Sequence, residues 1–562
     1  MASFQNPVSS IAQGEVSPLV VTGSLLGILV HVSLVKIELE QFMYSFIASY
    51  AISFVFFVYL FTNSGGLSIL NALTSSLILF TCFNASIFTS IVVYRAFLHR
   101  CRTFPGPFPA RLSKFYAAYL FGRDFRYYQD LARMHEQYGD YVRTGPREIS
   151  IMDKAAVPLL YGPESECTKS TWYTQQKADS AQTSINQTRD KNVYRRRRRV
   201  WDRGLSVKAL GLYQPRIKAL ADLLVEKMHE RVGTPIDATT WGKLFSFDVM
   251  GQVGFSADFG NMVNGEKNHA LAAIGEHFDV LGILQEVPWL MNILSNIPGA
   301  QNAIKAFIEM TGGAMNEKLK DAESLKDPKD IASWIAKSIA DKDVGAPPTM
   351  QAFADDGRTL FIAGSDTTAT VFSNAIYYLA KDRARQRKLQ AILDATFPEG
   401  YSTWDWEKVK EITYIDDIVN ETLRMKPPVL HGGPRETPAH GLKIGEVYIP
   451  GYVNVVIPYM LIQLDPRYYS QPLEWIPERY GEKREEMGTD GQPFLSFGLG
   501  MHTCPGRNLG FMNLRTSLSA LFLNFDVEFA EGETGEKFDD VVDKFLMDPN
   551  PLMVKFVSRN KK

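Results

Sequence analysis

The sequence has few cysteines, no excess of either charge sign and no repeats. Four cysteines occur in 562 residues: Cys82, Cys101, Cys167 and Cys504. That number excludes a disulfide framework, and no CxxC pair exists to build a cysteine-rich zinc site. It fits a reducing compartment. The 60 basic and 62 acidic residues leave a net charge of −2, which argues against a nucleic-acid binder working through bulk positive charge. A hydrophobic fraction of 45% with 22% charged residues excludes a mostly disordered chain.

Charge is also missing locally. Residues 1–94 hold one lysine (Lys36) and three acids, and nothing from Gln41 to Tyr94 is charged. A signal peptide would have a basic start and a short apolar core, and this segment has neither. Three spans of roughly 20 residues fit instead: about 16–35, 42–61 and 67–94, the last two separated by Thr62-Asn63-Ser64-Gly65-Gly66. Arg95, Arg100 and Arg102 follow the third span, and the first fifteen residues carry no Lys or Arg. The positive-inside rule then puts the amino terminus on the lumenal side and the bulk of the chain in the cytosol.

Residues 96–110 read as a proline-rich hinge. Phe104-Pro105-Gly106-Pro107-Phe108-Pro109 is expected to be stiff, extended and non-helical. Residues 111–562 show no linker and read as one large domain, mainly α with a small β part. Tyr138 to Asp153 alternates around Gly145-Pro146 as a hairpin does. Helical patterns dominate from Lys191 to Lys426, followed by short β-like runs at Leu442 to Ile449 and Val453 to Ile457.

Chemistry concentrates near the end, in Pro493-Phe494-Leu495-Ser496-Phe497-Gly498-Leu499-Gly500-Met501-His502-Thr503-Cys504-Pro505-Gly506-Arg507. A lone cysteine among glycines, before a helical pattern, can receive free backbone amides that favour its thiolate and metal ligation. The alternative is a buried free cysteine beside a tight turn. Phe497, Gly500, His502, Cys504 and Gly506 stand at the spacing of one signature, and the segment resembles the haem-binding loop of the cytochrome P-450 family. His502 stands where family members usually have Arg.

Three further segments follow the family's pattern. Glu421-Thr422-Leu423-Arg424, ended by Pro427-Pro428, resembles its ExxR helix, where i and i+3 residues share a face and can pair. Pro477-Glu478-Arg479-Tyr480 resembles its PERF-type loop, which would add Arg479 to that pair. Ala363-Gly364-Ser365-Asp366-Thr367-Thr368 resembles the oxygen-activation motif. Its glycine and hydroxyls are costly in mid-helix and are expected to loosen the helical ladder. The run Arg195 to Arg199 cannot share one helix face. Tyr194 and Arg198 fall at the family's WxxxR positions, and the other arginines read as a basic patch for an acidic partner or as a solvated face. Pro288 to Pro298 is an apolar strip that reads either as a bilayer contact guiding substrates or as ordinary core packing.

The resemblance implies a cytochrome P-450 fold after about three transmembrane helices. It implies heme b with iron held axially by Cys504, and propionates held by Tyr194, Arg198, Arg435 and His502, with Phe497 beside the ligand. Asp366 and Thr367 would relay protons to dioxygen. An NADPH-dependent P-450 reductase would supply electrons, and one oxygen atom would enter a lipophilic small molecule. The implied place is the endoplasmic reticulum membrane, multi-pass, with the catalytic domain cytosolic and no nucleic-acid partner. Phe245-Ser246-Phe247-Asp248-Val249 and the arginine run look most like fungal secondary-metabolite members. Two rivals stand beside this reading: a haem-thiolate isomerase or dehydratase that needs no external electrons, and a membrane haem-binding protein without enzymatic activity.

Overall fold

The structure is a computed structural model that describes residues 11–559, apart from residues 12, 36, 38, 176 and 178. Lys36 lies outside the described residues.

Three helices are long and apolar enough to cross a membrane. They are α1 (Val16–Leu34), α2 (Met43–Asn63) and α3 (Ile69–Val93), the last prolonged by a π-helical turn over Tyr94–Leu98. The expected spans match these bounds within two residues. Helices α1 and α3 run parallel in close contact, because Gly23 and Gly27 remove side chains where the backbones meet. A Cβ on Gly23 would lie 2.5 Å from Leu79 O, and one on Gly27 would lie 2.5 Å from Phe83 O. Small residues four apart let membrane helices approach in this way. Helix α2 runs antiparallel to α3, with Tyr50 against Phe83 and Phe57 against Phe80. Gly27→Leu is expected to separate α1 from α3. The check is a cysteine crosslink between neighbouring positions of the two helices in microsomes, which should form in the parent chain and be lost in the variant.

The strip after the membrane helices differs from expectation in one respect. Phe108–Leu112 is helical, with Pro107 at its N-cap and Pro109 in its first turn, where a missing N–H costs nothing. Before it, the chain is pinned to the domain. Arg143 N donates to Pro105 O at 2.7 Å. The fully buried Arg143 guanidinium donates through Nη2 to Arg95 O at 3.1 Å and Pro146 O at 2.7 Å. Gly106 takes φ +159°, and a Cβ there would lie 2.4 Å from Arg143 O.

The hairpin forms where the alternation placed it, as β1 (Tyr141–Gly145) and β2 (Glu148–Ile151). With β3 (Thr168–Lys169), β4 (Arg435–Glu436) and β5 (Asn454–Val456) it makes a five-stranded sheet in the order β1-β2-β5-β4-β3. Only β2 and β5 are parallel, and Lys169 pairs across strands with Arg435. The helices that build the site are α4 (Lys191–Gly204), α5 (Ala238–Phe255), α6 (His269–Leu284), α7 (Pro288–Ser295), α8 (Met350–Lys381), α9 (Thr413–Met425) and α10 (Arg507–Asn524). Caps fix two starts: Asp190 accepts from Asn192 N and Val193 N, and Thr349 accepts from Ala352 N. The main core lies between α5, α8, α9 and α10, with Phe245, Phe361, Phe372, Ile418 and Leu518 almost fully buried.

The arginine run divides by position on α4. Arg195, Arg196 and Arg199 are exposed, but Arg197 is 3% exposed. It donates to Asp356 at 2.8 Å and to Thr183 O and Thr188 Oγ1, tying α4 to α8. A basic patch formed by every arginine but Arg198 is therefore not what the fold contains. With Arg197 inward, the exposed patch is smaller.

Candidate active site

Two glycines turn the loop before Cys504. Gly498 and Gly500 take φ +65° and +59°, and a Cβ on Gly500 would lie 2.5 Å from Tyr161 O. The turns bring Cys504 N back to Phe497 O at 2.7 Å. Phe497 packs on Phe511, with the Arg507 guanidinium 5.5 Å from its ring. Cys504 has exposed surface, and it faces an interior cavity of about 1030 Å³. That exceeds the roughly 300–1,000 Å³ of ordinary ligand pockets. Burial pushes the Cys504 thiol above its usual range. The amides of Gly506 and Arg507 and the charges of Arg198 and Arg507 pull the other way. In the free thiol burial outweighs the amides, which the sequence pattern alone does not show.

Across the cavity runs α8. Ala363, Gly364, Thr367 and Thr368 line it. The helix is continuous here, so the expected loosening of its ladder does not occur. The hydroxyls are absorbed by the preceding turn instead: Ser365 donates to Phe361 O, Thr367 to Ala363 O at 2.7 Å and Thr368 to Gly364 O. Gly364 serves close packing, since a Cβ there would lie 2.4 Å from Met250 Sδ on α5. Asp366 does not line the cavity. Its Oδ2 is buried without a hydrogen-bond partner. Burial raises its carboxyl to about 6 despite the nearby Lys243 and Lys267, with Asp548 adding to the rise. The structure thus places Thr367 at the cavity and Asp366 behind it.

One edge of the cavity is cationic. Arg435 is 6% exposed and donates to Gly433 O and Pro434 O. Its strand partner Lys169, which the sequence reading missed, is 4% exposed and donates to Asn186 O at 2.5 Å. Lys169 Nζ lies 4.5 Å from the centre of the Tyr194 ring. Among the described residues, neither Lys169 nor Arg435 has a carboxylate partner. Burial, followed by Arg435, Arg197 and Arg198, holds Lys169 well below its usual range. His502 stacks edgewise on Tyr194 at 4.4 Å, and its buried Nδ1 has no partner. Burial and the surrounding cations push it down to about 2, so it sits there as neutral imidazole. Arg198 does not line the cavity. It donates to Thr503 O at 2.6 Å and Tyr194 Oη at 3.3 Å, holding the cysteine loop from behind. Basic side chains without a carboxylate partner among the described residues, beside an open thiol, fit a planar group that carries carboxylates on one edge.

A buried charge network supports the loop. Arg424 donates to both Glu421 oxygens at 2.8 Å and to Gln463 O, Pro472 O and Glu474 O. Arg479 reaches Glu421 at 3.3 Å and the Ser470 and Gln471 carbonyls. Side chains of all three charged residues are 0% exposed. Gln463, unmarked by any motif, connects the network to the loop. It donates to Arg424 O and accepts from Leu495 N at 2.6 Å.

The Cytochrome P450 family model matches residues 105–556, and the chain belongs to that family. It is a cytochrome P450 monooxygenase, an oxidoreductase. It is 36% identical over 476 residues to "Cytochrome P450 monooxygenase orf5" of Eupenicillium brefeldianum, covering 84% of this chain and 95% of that one. It is 32% identical to "Cytochrome P450 monooxygenase FCK2" of Fusarium pseudograminearum, covering 92% and 93%. "Tryprostatin B 6-hydroxylase" of Aspergillus fumigatus is 30% identical, with 86% and 85% covered. The fold matches the crystal structure of a cytochrome P450, CYP102L1, with a TM-score of 0.65 and 18% identity over 77% of this chain and 94% of that one.

Proposed function

We propose that this monooxygenase is anchored in the endoplasmic reticulum membrane by three spans, takes electrons from NADPH through a P-450 reductase, and oxidises a lipophilic small molecule of fungal secondary metabolism. The observation that carries this reading is the Cys504 thiol open to a large cavity that Thr367 also lines. Heme b bound there, held by Cys504, would supply dioxygen activation, and a thiolate ligand favours that chemistry. The named relatives, tryprostatin hydroxylase among them, support the metabolic setting.

The chain's own residues divide the work. Cys504 would be the iron ligand, with the amides of Gly506 and Arg507 directed at its sulfur. Phe497 packs beside it. Arg435, Tyr194 and Lys169 would take the haem carboxylates, with His502 as a neutral hydrogen-bonding neighbour and Arg198 holding the loop through Thr503. Thr367 can exchange its bond to Ala363 O for one to a molecule in the cavity. Asp366, held near neutrality by burial, can pass a proton from the Lys243 side toward Thr367.

The membrane side also fits this reading. Arg95, Arg100 and Arg102 lie on the same side as the globular domain, which the positive-inside rule makes cytosolic. Met291 and Leu294 of α7 line the cavity, and Tyr44 at the start of α2 donates to Asn292 O at 3.0 Å. The cavity therefore reaches a segment that touches the membrane helices, a route suited to lipophilic substrates.

The test is NADPH oxidation and oxygen uptake by microsomes holding the full chain and a reductase. NADPH-dependent product formation is expected. Turnover without NADPH would support an isomerase or dehydratase, and haem binding without either would support a non-enzymatic role. Thr367→Ala is expected to keep the haem but release peroxide in place of most product, lowering product per NADPH about 10-fold or more. An unchanged ratio would remove Thr367 from proton delivery.

A further inference from the structure

A second polar cluster lines the cavity away from Cys504, and nothing in the chemistry above uses it. Lys114 precedes the helix Phe115–Asp124, and its stem crosses Gly145, where an added Cβ would lie 2.7 Å from Lys114 Cδ. Its Nζ donates to Glu148 Oε1 at 2.6 Å and also pairs with Glu286, just beyond α6. Glu148 Oε1 accepts from Thr144 as well, at 2.9 Å. One lysine thus meets two carboxylates. Beside it, His431 pairs with the buried Asp543. A protonated His431 makes that pair neutral, and a neutral one adds a further negative charge. The count is negative in either state.

The neighbouring Tyr127 gives an independent observation. It is 5% exposed, lines the cavity, and lies within electrostatic reach of Glu286 and Lys114. Its hydroxyl makes no hydrogen bond among the described residues. An unpartnered hydroxyl on an otherwise buried side chain at the cavity wall is free to hydrogen-bond a ligand there. Farther along the cavity, Asp355 pairs with both Lys177 and Arg358, so the charge there has the opposite sign. The cavity is therefore polarised along its length.

We propose that Glu286, Glu148 and Tyr127 form a recognition subsite for a cationic nitrogen, so that the preferred substrate is a lipophilic amine protonated at neutral pH. This rests on the monooxygenase reading and narrows its substrate class. The largely apolar walls lower the local dielectric, so an ammonium gains more here than at an open surface. Lys114 neutralises one carboxylate and holds both in place, and the ammonium answers the other. The cationic cluster by Asp355 repels the same group, which orients the molecule and disfavours the reverse pose.

The experiment uses the full-length haem protein in neutral detergent and two probes: an alkyl trimethylammonium, whose nitrogen cannot ligate iron, and its carbon isostere ending in tert-butyl. Binding is read by equilibrium dialysis and by the Soret shift. The parent protein is expected to hold the ammonium about tenfold more tightly than the isostere. Glu286→Gln is expected to bring that ratio within about twofold while leaving isostere binding unchanged. Glu148→Gln is a second variant with the same expected direction. Equal affinity of the parent protein for both probes, or a preference that survives both substitutions, would overturn the proposal. The reduced, carbon monoxide spectrum of the same samples tests the monooxygenase reading separately, because dialysis does not depend on it.

Discussion

Cys504→Ala is expected to abolish the thiolate-type Soret band in the reduced, carbon monoxide difference spectrum of microsomes carrying the chain. The loss should be complete, because no other cysteine can substitute. Cys82 lies on α3 among the apolar amino-terminal helices, and Cys101 and Cys167 are buried elsewhere. Among the described residues, Cys504 is the one cysteine lining the cavity. The alanine itself should be tolerated locally, since the loop is turned by Gly498 and Gly500 and closed by the Cys504 N to Phe497 O bond, none of which needs the sulfur. Immunoblotted protein at parental level with no band is the expected pair of results. A retained thiolate-type band in the variant would move the ligand away from Cys504.

Arg424→Ala is expected to act on folding. The guanidinium makes five hydrogen bonds inside the protein, two to Glu421 and three to carbonyls of the segment from Gln463 to Glu474. Removing it leaves Glu421 buried with the Ile476 amide at 2.9 Å and weaker contacts to Arg479 at 3.3 Å, and strands three carbonyls. Breaking a buried charge pair in this way costs about 3–5 kcal/mol, against a total stability of roughly 5–15 kcal/mol for a domain. The effect should reach the haem site through Gln463, which bonds both Arg424 O and Leu495 N. Arg424→Lys should fail almost as fully, because one ammonium cannot reproduce the planar fork. The measurement is carbon monoxide-binding protein per unit of total chain, with the thermal midpoint of what remains. Normal yield in both variants would show that the network is dispensable.

The comparison of sequence with structure divides by the kind of signal. Local patterns carried far: the uncharged stretch marked three helices, and alternation around Gly145-Pro146 marked β1 and β2. The Glu421, Arg424 and Arg479 triad could be assembled because the motifs name its members. Contacts made by single residues over long distances had no local signature. Lys169 faces the cavity because β3 pairs with β4, a register that no neighbouring residue announces. Gln463 and Glu286 are ordinary residues until the fold places them. Arg197 read as one arginine of five, and only the angle of α4 relative to Asp356 turns it inward. The hydroxyls around Thr367 were expected to weaken α8. Their carbonyl acceptors one turn back show how a helix can accommodate such residues without a kink.

The pinning of the linker by Arg143 bears on how a water-soluble form should be made. Cutting after the last proline would discard Arg95 O and Pro105 O, both acceptors for Arg143, and would leave a fully buried guanidinium short of partners. A cut ahead of Arg95 keeps both bonds and removes most of the lipid-facing surface. The natural border of the soluble body therefore lies about ten residues earlier than the proline strip suggests, inside the end of the third long apolar helix.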